Sequence, residues 1–103
     1  MKLTNEDILC VLYTAKAQFI ADRNTPNYGI GMCFYIQQSL KSIFNIYVYY
    51  SKIKNIIPEF VPKTFELNLE NDLLWWWNAE DVDSRINAFD KLIEIYKNKL
   101  KVL

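Results

Sequence analysis

The alternation of hydrophobic and polar positions predicts helices along most of the chain, with one stretch where two periods compete. Thr4 precedes the first apolar stripe and Asp7 stands three residues on, an approximate capping box. Ile8, Leu12, Ala15 and Phe19 then recur at helical spacing, and Leu9, Tyr13 and Ile20 widen the stripe. This first helix is expected to end near Asp22. The segment RNTPNYG (23–29) reads as a loop, because the residue before a proline is pushed toward extended backbone and Gly29 frees the turn. IGMCFYIQQSLKSIF (30–44) predicts a second helix with Met32, Ile36, Leu40 and Ile43 on one face, flanked by Cys33 and Phe44. Gly31 costs a helix about 1 kcal/mol relative to Ala, which suggests that another helix or a ligand comes close there.

NIYVYYSKIKNII (45–57) is the ambiguous stretch. Tyr47, Val48, Tyr49 and Tyr50 favour a strand, while Ile46, Tyr50, Ile53 and Ile57 fit a helical stripe. No second convincing strand exists to pair with, and an isolated strand is unstable, so helix is the reading taken, ended by Pro58. Residues 58–72 hold two prolines and no clear period, and predict a loop with short helical turns after Pro58 and Pro62. The last helix is the clearest element. Asp81 or Asp83 is placed to cap it, and Val82, Ile86, Phe89, Ile93, Tyr96 and Leu100 form its stripe. Acids gather at its start and lysines at its end, as the helix dipole favours. The expected architecture is all-α, a compact bundle of about four helices forming one domain over residues 1–103.

Composition supports this reading. Of the 103 residues, 51% are hydrophobic, enough for a real core, and 16% are aromatic, which is dense for such a chain. With only 2 glycines and 3 prolines, the frequent turns of a β-sandwich or barrel are missing. The net charge of zero gives no overall field toward nucleic acid or membrane. The charges are sorted along the chain, however. No acid falls between Asp22 and Glu59, whereas Arg23, Lys41, Lys52 and Lys54 do; residues 59–90 are mainly acidic and the tail is basic again. Such blocks suit either two differently charged surfaces or ordinary solvated helix faces. The early apolar run Ile8–Ala15 follows Glu6 and Asp7 and is shorter than the ~20 residues a span needs, so neither signal peptide nor membrane anchor is expected. Cys10 and Cys33 lie in apolar runs and read as buried thiols of an intracellular protein.

The chain contains no histidine, which removes the commonest general base and metal ligand. There is no phosphate loop, no nucleophile elbow and no zinc spacing. The acids Glu80, Asp81 and Asp83 could hold a divalent cation, or could simply compensate a helix dipole, and the second reading is preferred. The expectation is therefore no catalytic residue, no metal and no cofactor.

Binding remains. Trp75, Trp76 and Trp77 are adjacent, so they cannot all face one way. They either seal the core or offer an exposed anchor for a protein or a stacked base. FNIYVYYSKIK (44–54) combines aromatics, notably Tyr47 and Tyr50, with Lys52 and Lys54 and no acid. Aromatic faces with positive charge suit a nucleotide-like ligand, and helical spacing would put Tyr50 and Lys54 on one face with Tyr47 beside them. Against this, two of these tyrosines could be core and the lysines merely solvated. Arg85 could pair with Asp81 one turn earlier, or clamp a carboxylate or phosphate.

Three pieces in order, YGIGMCFYI (28–36), IPEF (57–60) and WWWNAEDVDSRINAFDKLIEIY (75–96), resemble small proteins of tailed phages and prophages. The resemblance covers about half the chain. It implies a non-enzymatic accessory protein, an antagonist of host defence that works in the cytoplasm of an infected or lysogenic bacterium. Two modes follow. One is sequestration of a small anionic nucleotide-like signal, for which the aromatic and basic pattern itself, and not the resemblance, offers Tyr47, Tyr50, Lys52, Lys54, Trp75–Trp77 and Arg85. The other is inhibition of a host defence protein through an exposed Trp and acidic surface. A homodimer is expected, and neither membrane nor sequence-specific nucleic acid is expected as a partner.

Overall fold

The computed structural model describes residues 2–22, 32–60 and 82–101, with no side chains described for 82–85. The first helix, α1 (Asn5–Asp22), begins as the capping pattern requires. The Asp7 amide donates to Thr4 Oγ1 at 3.1 Å, and the Thr4 amide donates to Asp7 Oδ2 at 3.0 Å. Asp thus fills the reciprocal role usually given to Glu. At its other end α1 finishes on an acid, which the helix dipole disfavours. The Asp22 carboxylate is held there by Gln18 Nε2 at 3.0 Å and by the Tyr35 hydroxyl at 3.1 Å.

The second helix, α2, spans Met32–Phe44, and the third, α3, spans Val82–Lys101. Between them lies a 3-10 helix, Tyr50–Asn55. The fold is all-α, a helical bundle in which α1 packs against both α2 and α3 while the 3-10 helix leans on α2. The stripe Ile8, Leu12, Ala15 and Phe19 is buried throughout. The Phe19 ring meets Tyr35 of α2 edge-on at 5.5 Å and Phe89 of α3 at 6.0 Å. Phe89, Leu92, Ile93 and Tyr96 bring the α3 face into the same core, and Ile53, Ile57 and Phe60 close it from the intervening segment. On the surface Lys16 of α1 pairs with Asp90 of α3. Both side chains are solvated, so the pair contributes at most about 1 kcal/mol. Among the described residues, no helix is long and apolar enough to cross a membrane.

The structure departs from the sequence pattern at the edges of the stripes. Cys10 is exposed, not buried, while Cys33 is buried as expected. Cys10 stands two residues from both Ile8 and Leu12, about 200° round the helix from each, and so faces away from the core. The α1 stripe widens through Val11, which is fully buried, whereas Tyr13 on the other flank is exposed. Ile43 and Leu100 fit their stripes by spacing but lie in the last turns of α2 and α3, where they are exposed. The loop expected at 23–29, the close approach at Gly31, the helical turn after Pro62 and a cap at Asp81 fall outside the described residues, while the backbone of Asp83 lies within α3, one residue past its start.

Two substitutions check this account. Thr4→Ala removes the cap and should cost about 1 kcal/mol in urea unfolding. Phe19→Ala removes the ring between two helices and should cost about 3–5 kcal/mol.

Candidate functional site

The surface that carries the sequence-predicted aromatics begins where α2 stops. Asn45 has φ 56°, in the left-handed region that Asn tolerates better than other non-glycine residues. Its amide donates to the Lys41 carbonyl at 3.0 Å, the bond that ends a helix with a left-handed residue. Lys41 Nζ donates to Asn45 Oδ1 at 2.8 Å and so holds the cap residue from its side chain. The Ile46 amide donates back to the Leu40 carbonyl at 3.3 Å. The chain therefore turns off the helix axis, and residues 45–49 carry no regular structure.

Burial alternates along this short segment. Val48 is buried, and its neighbours Tyr47 and Tyr49 are 63% and 64% exposed. This is the period-two pattern of extended backbone, and Tyr49 itself has φ −65° and ψ 151°. Gln37 of α2, itself buried, donates through Nε2 to the Val48 carbonyl at 2.7 Å. With Val48 held inward, Tyr47 and Tyr49 project together, their rings 5.6 Å apart and nearly perpendicular at 82°. The 3-10 helix follows, opened by the Lys52 amide donating to the Tyr49 carbonyl at 2.8 Å. Its three-residue period sets Tyr50, half-buried, in line with the fully buried Ile53. Burial pushes the Tyr50 phenol above its ordinary pKa, with Cys33 and Tyr47 adding to the shift, so Tyr50 stays neutral and anchors the segment. Lys52 and Lys54 are exposed.

The α-helix expected over 45–57 is thus replaced by an extended turn and a 3-10 helix. The left-handed cap at Asn45 breaks the helix, and the Gln37 amide captures a carbonyl that a continued helix would have used internally. The expected shared face of Tyr50 and Lys54 is lost with it, since residues four apart diverge by about 120° in a three-residue period. Tyr47 keeps its exposure but pairs with Tyr49, which the helical reading had not put beside it. Trp75, Trp76 and Trp77 lie outside the described residues, as does the side chain of Arg85, whose backbone belongs to α3. Glu80 and Asp81 also lie outside the described residues, and Asp83, like Arg85, is described only through its backbone in α3. Among the described residues, no group of three His, Cys, Asp or Glu could hold a metal ion.

A second polar cluster ties the IPEF segment to α3. The Tyr96 hydroxyl and Lys99 Nζ both donate to the Glu59 carboxylate, one to each oxygen. Lys99 also sits 4.3 Å from the centre of the Tyr96 ring. Burial works to raise the Glu59 pKa, but the hydrogen bonds from Lys99 and Tyr96 and the Lys99 charge outweigh it and hold the carboxyl below its ordinary value. Burial first, and then the bond to Glu59 and its charge, push the Tyr96 phenol well up. This cluster reads as a latch for the chain at 57–60. An open groove of about 310 Å³ between α1 and α2 is lined by Gln18, Asp22, Phe34, Gln38 and Ser42 among others. Among the described residues its lining carries a carboxylate and no cation.

The chain matches no family model, no curated protein and no solved structure.

The latch sets a pH dependence. The depressed Glu59 pKa adds stability above the ordinary carboxyl value of 4.5, and that stability is lost as pH falls through the folded value. The raised Tyr96 pKa works at the other end, adding stability that declines as pH rises past the ordinary phenol value of 10.0. Glu59→Gln should cost about 1–2 kcal/mol near neutral pH. In urea titrations, its difference from the wild type should shrink as pH falls below 4.5.

Proposed function

We propose that this protein is a non-enzymatic binding protein whose contact surface is the Tyr47–Tyr49 pair with Lys52 and Lys54 beside it in sequence, and that its ligand is a small anionic nucleotide-like molecule. One observation carries the reading. Two tyrosines are held side by side in solvent by a buried backbone anchor, within a stretch that has exposed lysines and no acid. Aromatic faces stack on any base, and exposed ammonium groups attract phosphate from outside the stack. Tyr50 belongs to this surface as its half-buried base. Trp75–Trp77 and Arg85 remain candidate contributors from the sequence. The resemblance to small phage and prophage proteins supplies the context: an accessory protein that antagonises host defence by holding a nucleotide signal without turning it over.

A second reading is favoured by the openness of the surface. Tyr47, Tyr49 and, at the end of α2, Ile43 are exposed, and an exposed aromatic surface also suits a protein partner. In that case the chain inhibits a host defence protein by occupying its surface.

Thermal unfolding against mono-, di- and cyclic nucleotides separates the two. A ligand present at about 100 times its Kd adds ~2.7 kcal/mol, which for a domain of this size raises Tm by about 10 °C or more. Tyr47→Ala or Tyr49→Ala should then weaken binding by about 1–3 kcal/mol while leaving the core intact. No shift across the panel sinks the nucleotide reading, and specific capture of a host protein that Tyr49→Ala abolishes would establish the second.

A further inference from the structure

Gln37 was not among the residues that the sequence singled out, and no catalytic or ligand-binding role explains its position. It sits in the middle of α2 between Ile36 and Gln38, 8% exposed, on a helix whose other buried side chains are mostly apolar. A buried amide without a partner is costly, and apolar residues of similar volume fill such a position at less risk. Its Nε2 donates at 2.7 Å to the carbonyl of Val48, eleven residues on in the chain. That carbonyl lies between the two exposed tyrosines in sequence, in a segment with no helix or sheet to fix its backbone. The alternation of Tyr47 out, Val48 in and Tyr49 out has one orientation in which both rings reach solvent together. The Gln37 bond selects that orientation from the inside.

We infer that Gln37 is the positioning residue of the Tyr47–Tyr49 surface: its buried amide orients the Val48 peptide, and thereby sets the spacing and angle of the two rings that flank it in sequence. The inference concerns the ring geometry and adds a regulation point to the binding reading above, on which only its last readout rests. Val48, 9% exposed, supplies the apolar half of the same anchor. Side-chain burial alone would hold the segment down, but it would leave the peptide free to rotate about its ends. A directional hydrogen bond removes that freedom.

The test uses the full-length chain and NMR. In the wild type, the Gln37 side-chain amide protons should exchange with solvent at least tenfold more slowly than those of the exposed Gln38, and cross-ring contacts between Tyr47 and Tyr49 should be seen. Gln37→Leu removes the donor at similar volume; the cross-ring contacts should weaken or vanish while the contacts of Phe19 with Tyr35 and Phe89 persist. Ser39→Ala, which changes the other buried polar side chain of α2, should leave the ring pair as it is. Cross-ring contacts unchanged in folded Gln37→Leu would overturn the inference. Should that variant not fold, fast exchange of the Gln37 amide in the wild type would overturn it, and slow exchange together with an intact ring pair in Ser39→Ala would uphold it. With a nucleotide that binds the wild type, Gln37→Leu should lose about as much affinity as Tyr49→Ala. If no nucleotide binds, the ligand reading falls, and the dependence of the ring pair on Gln37 is judged on the ligand-free spectra alone.

Discussion

Phe19 is the contact on which the rest of the bundle depends. It lies in the last turn of α1, fully buried, in contact with Tyr35 of α2 and Phe89 of α3. A single helix that must pack against two others cannot do so with a narrow stripe. Val11 provides the extra width near the middle of α1, and the Phe19 ring provides it near the end. The edge-on approach to Tyr35 places that tyrosine's hydroxyl within reach of Asp22, so one aromatic contact also settles the acid at the helix terminus. The core of this small domain is thus organised from its first helix outward, and α2 and α3 are oriented through α1.

The described stretch that follows α2, residues 45–60, is fastened toward both of its ends by polar groups. Gln37 holds the Val48 carbonyl to α2, and Glu59 is held to α3 by Tyr96 and Lys99. Between the two fastenings, Ile53 and Ile57 are fully buried. The 3-10 helix is too short to be stable by itself, since its hydrogen bonds are poorer than those of an α-helix. It persists because its ends are tied and its middle is buried. The exposed tyrosines and lysines of this stretch therefore sit on a supported surface and not on a free loop, which lowers the ordering cost of any contact they make.

The parts of this arrangement that were legible in the sequence are those governed by local rules. Thr4 and Asp7 announced the start of α1; the buried faces of α1 and α3 followed from helical spacing, from Ile8 to Phe19 and from Phe89 to Tyr96. Errors fell where helix geometry alone does not decide. Ile43 and Leu100 satisfy the period but stand in terminal turns with nothing beyond to cover them. The flank of α1 that carries Val11 rather than Tyr13 is chosen by where α2 and α3 lie, which no spacing within α1 encodes. The stretch at 45–57 is helical only over Tyr50–Asn55, because its two competing periods are both real and act in succession: two-residue alternation around Val48, then a three-residue repeat from Tyr50 to Ile53. Asn45 directly after Phe44 was the available signal, since Asn is the residue other than Gly that most readily ends a helix in the left-handed conformation. Gln37 gave no signal, because a glutamine in a helix is ordinarily a solvated residue and its partner lies in a segment of undecided structure.

The two fastenings differ in chemistry, and the difference has a consequence for the surface they support. Glu59 is partly solvated and charged, so its hold on α3 varies with pH and salt. Gln37 and the Val48 carbonyl are neutral and buried, so their bond is insensitive to both across the range in which the fold survives. The Tyr47–Tyr49 pair lies next to the insensitive fastening, and Lys52 and Lys54 lie along the stretch that leads toward the sensitive one. Acidification that weakens the Glu59 latch would therefore loosen the C-terminal end of the segment first, through Pro58 and Ile57, while the tyrosines stayed in register on α2. The aromatic half of the surface is thus held by a buried amide, and the cationic half by the burial of Ile53 between its two lysines.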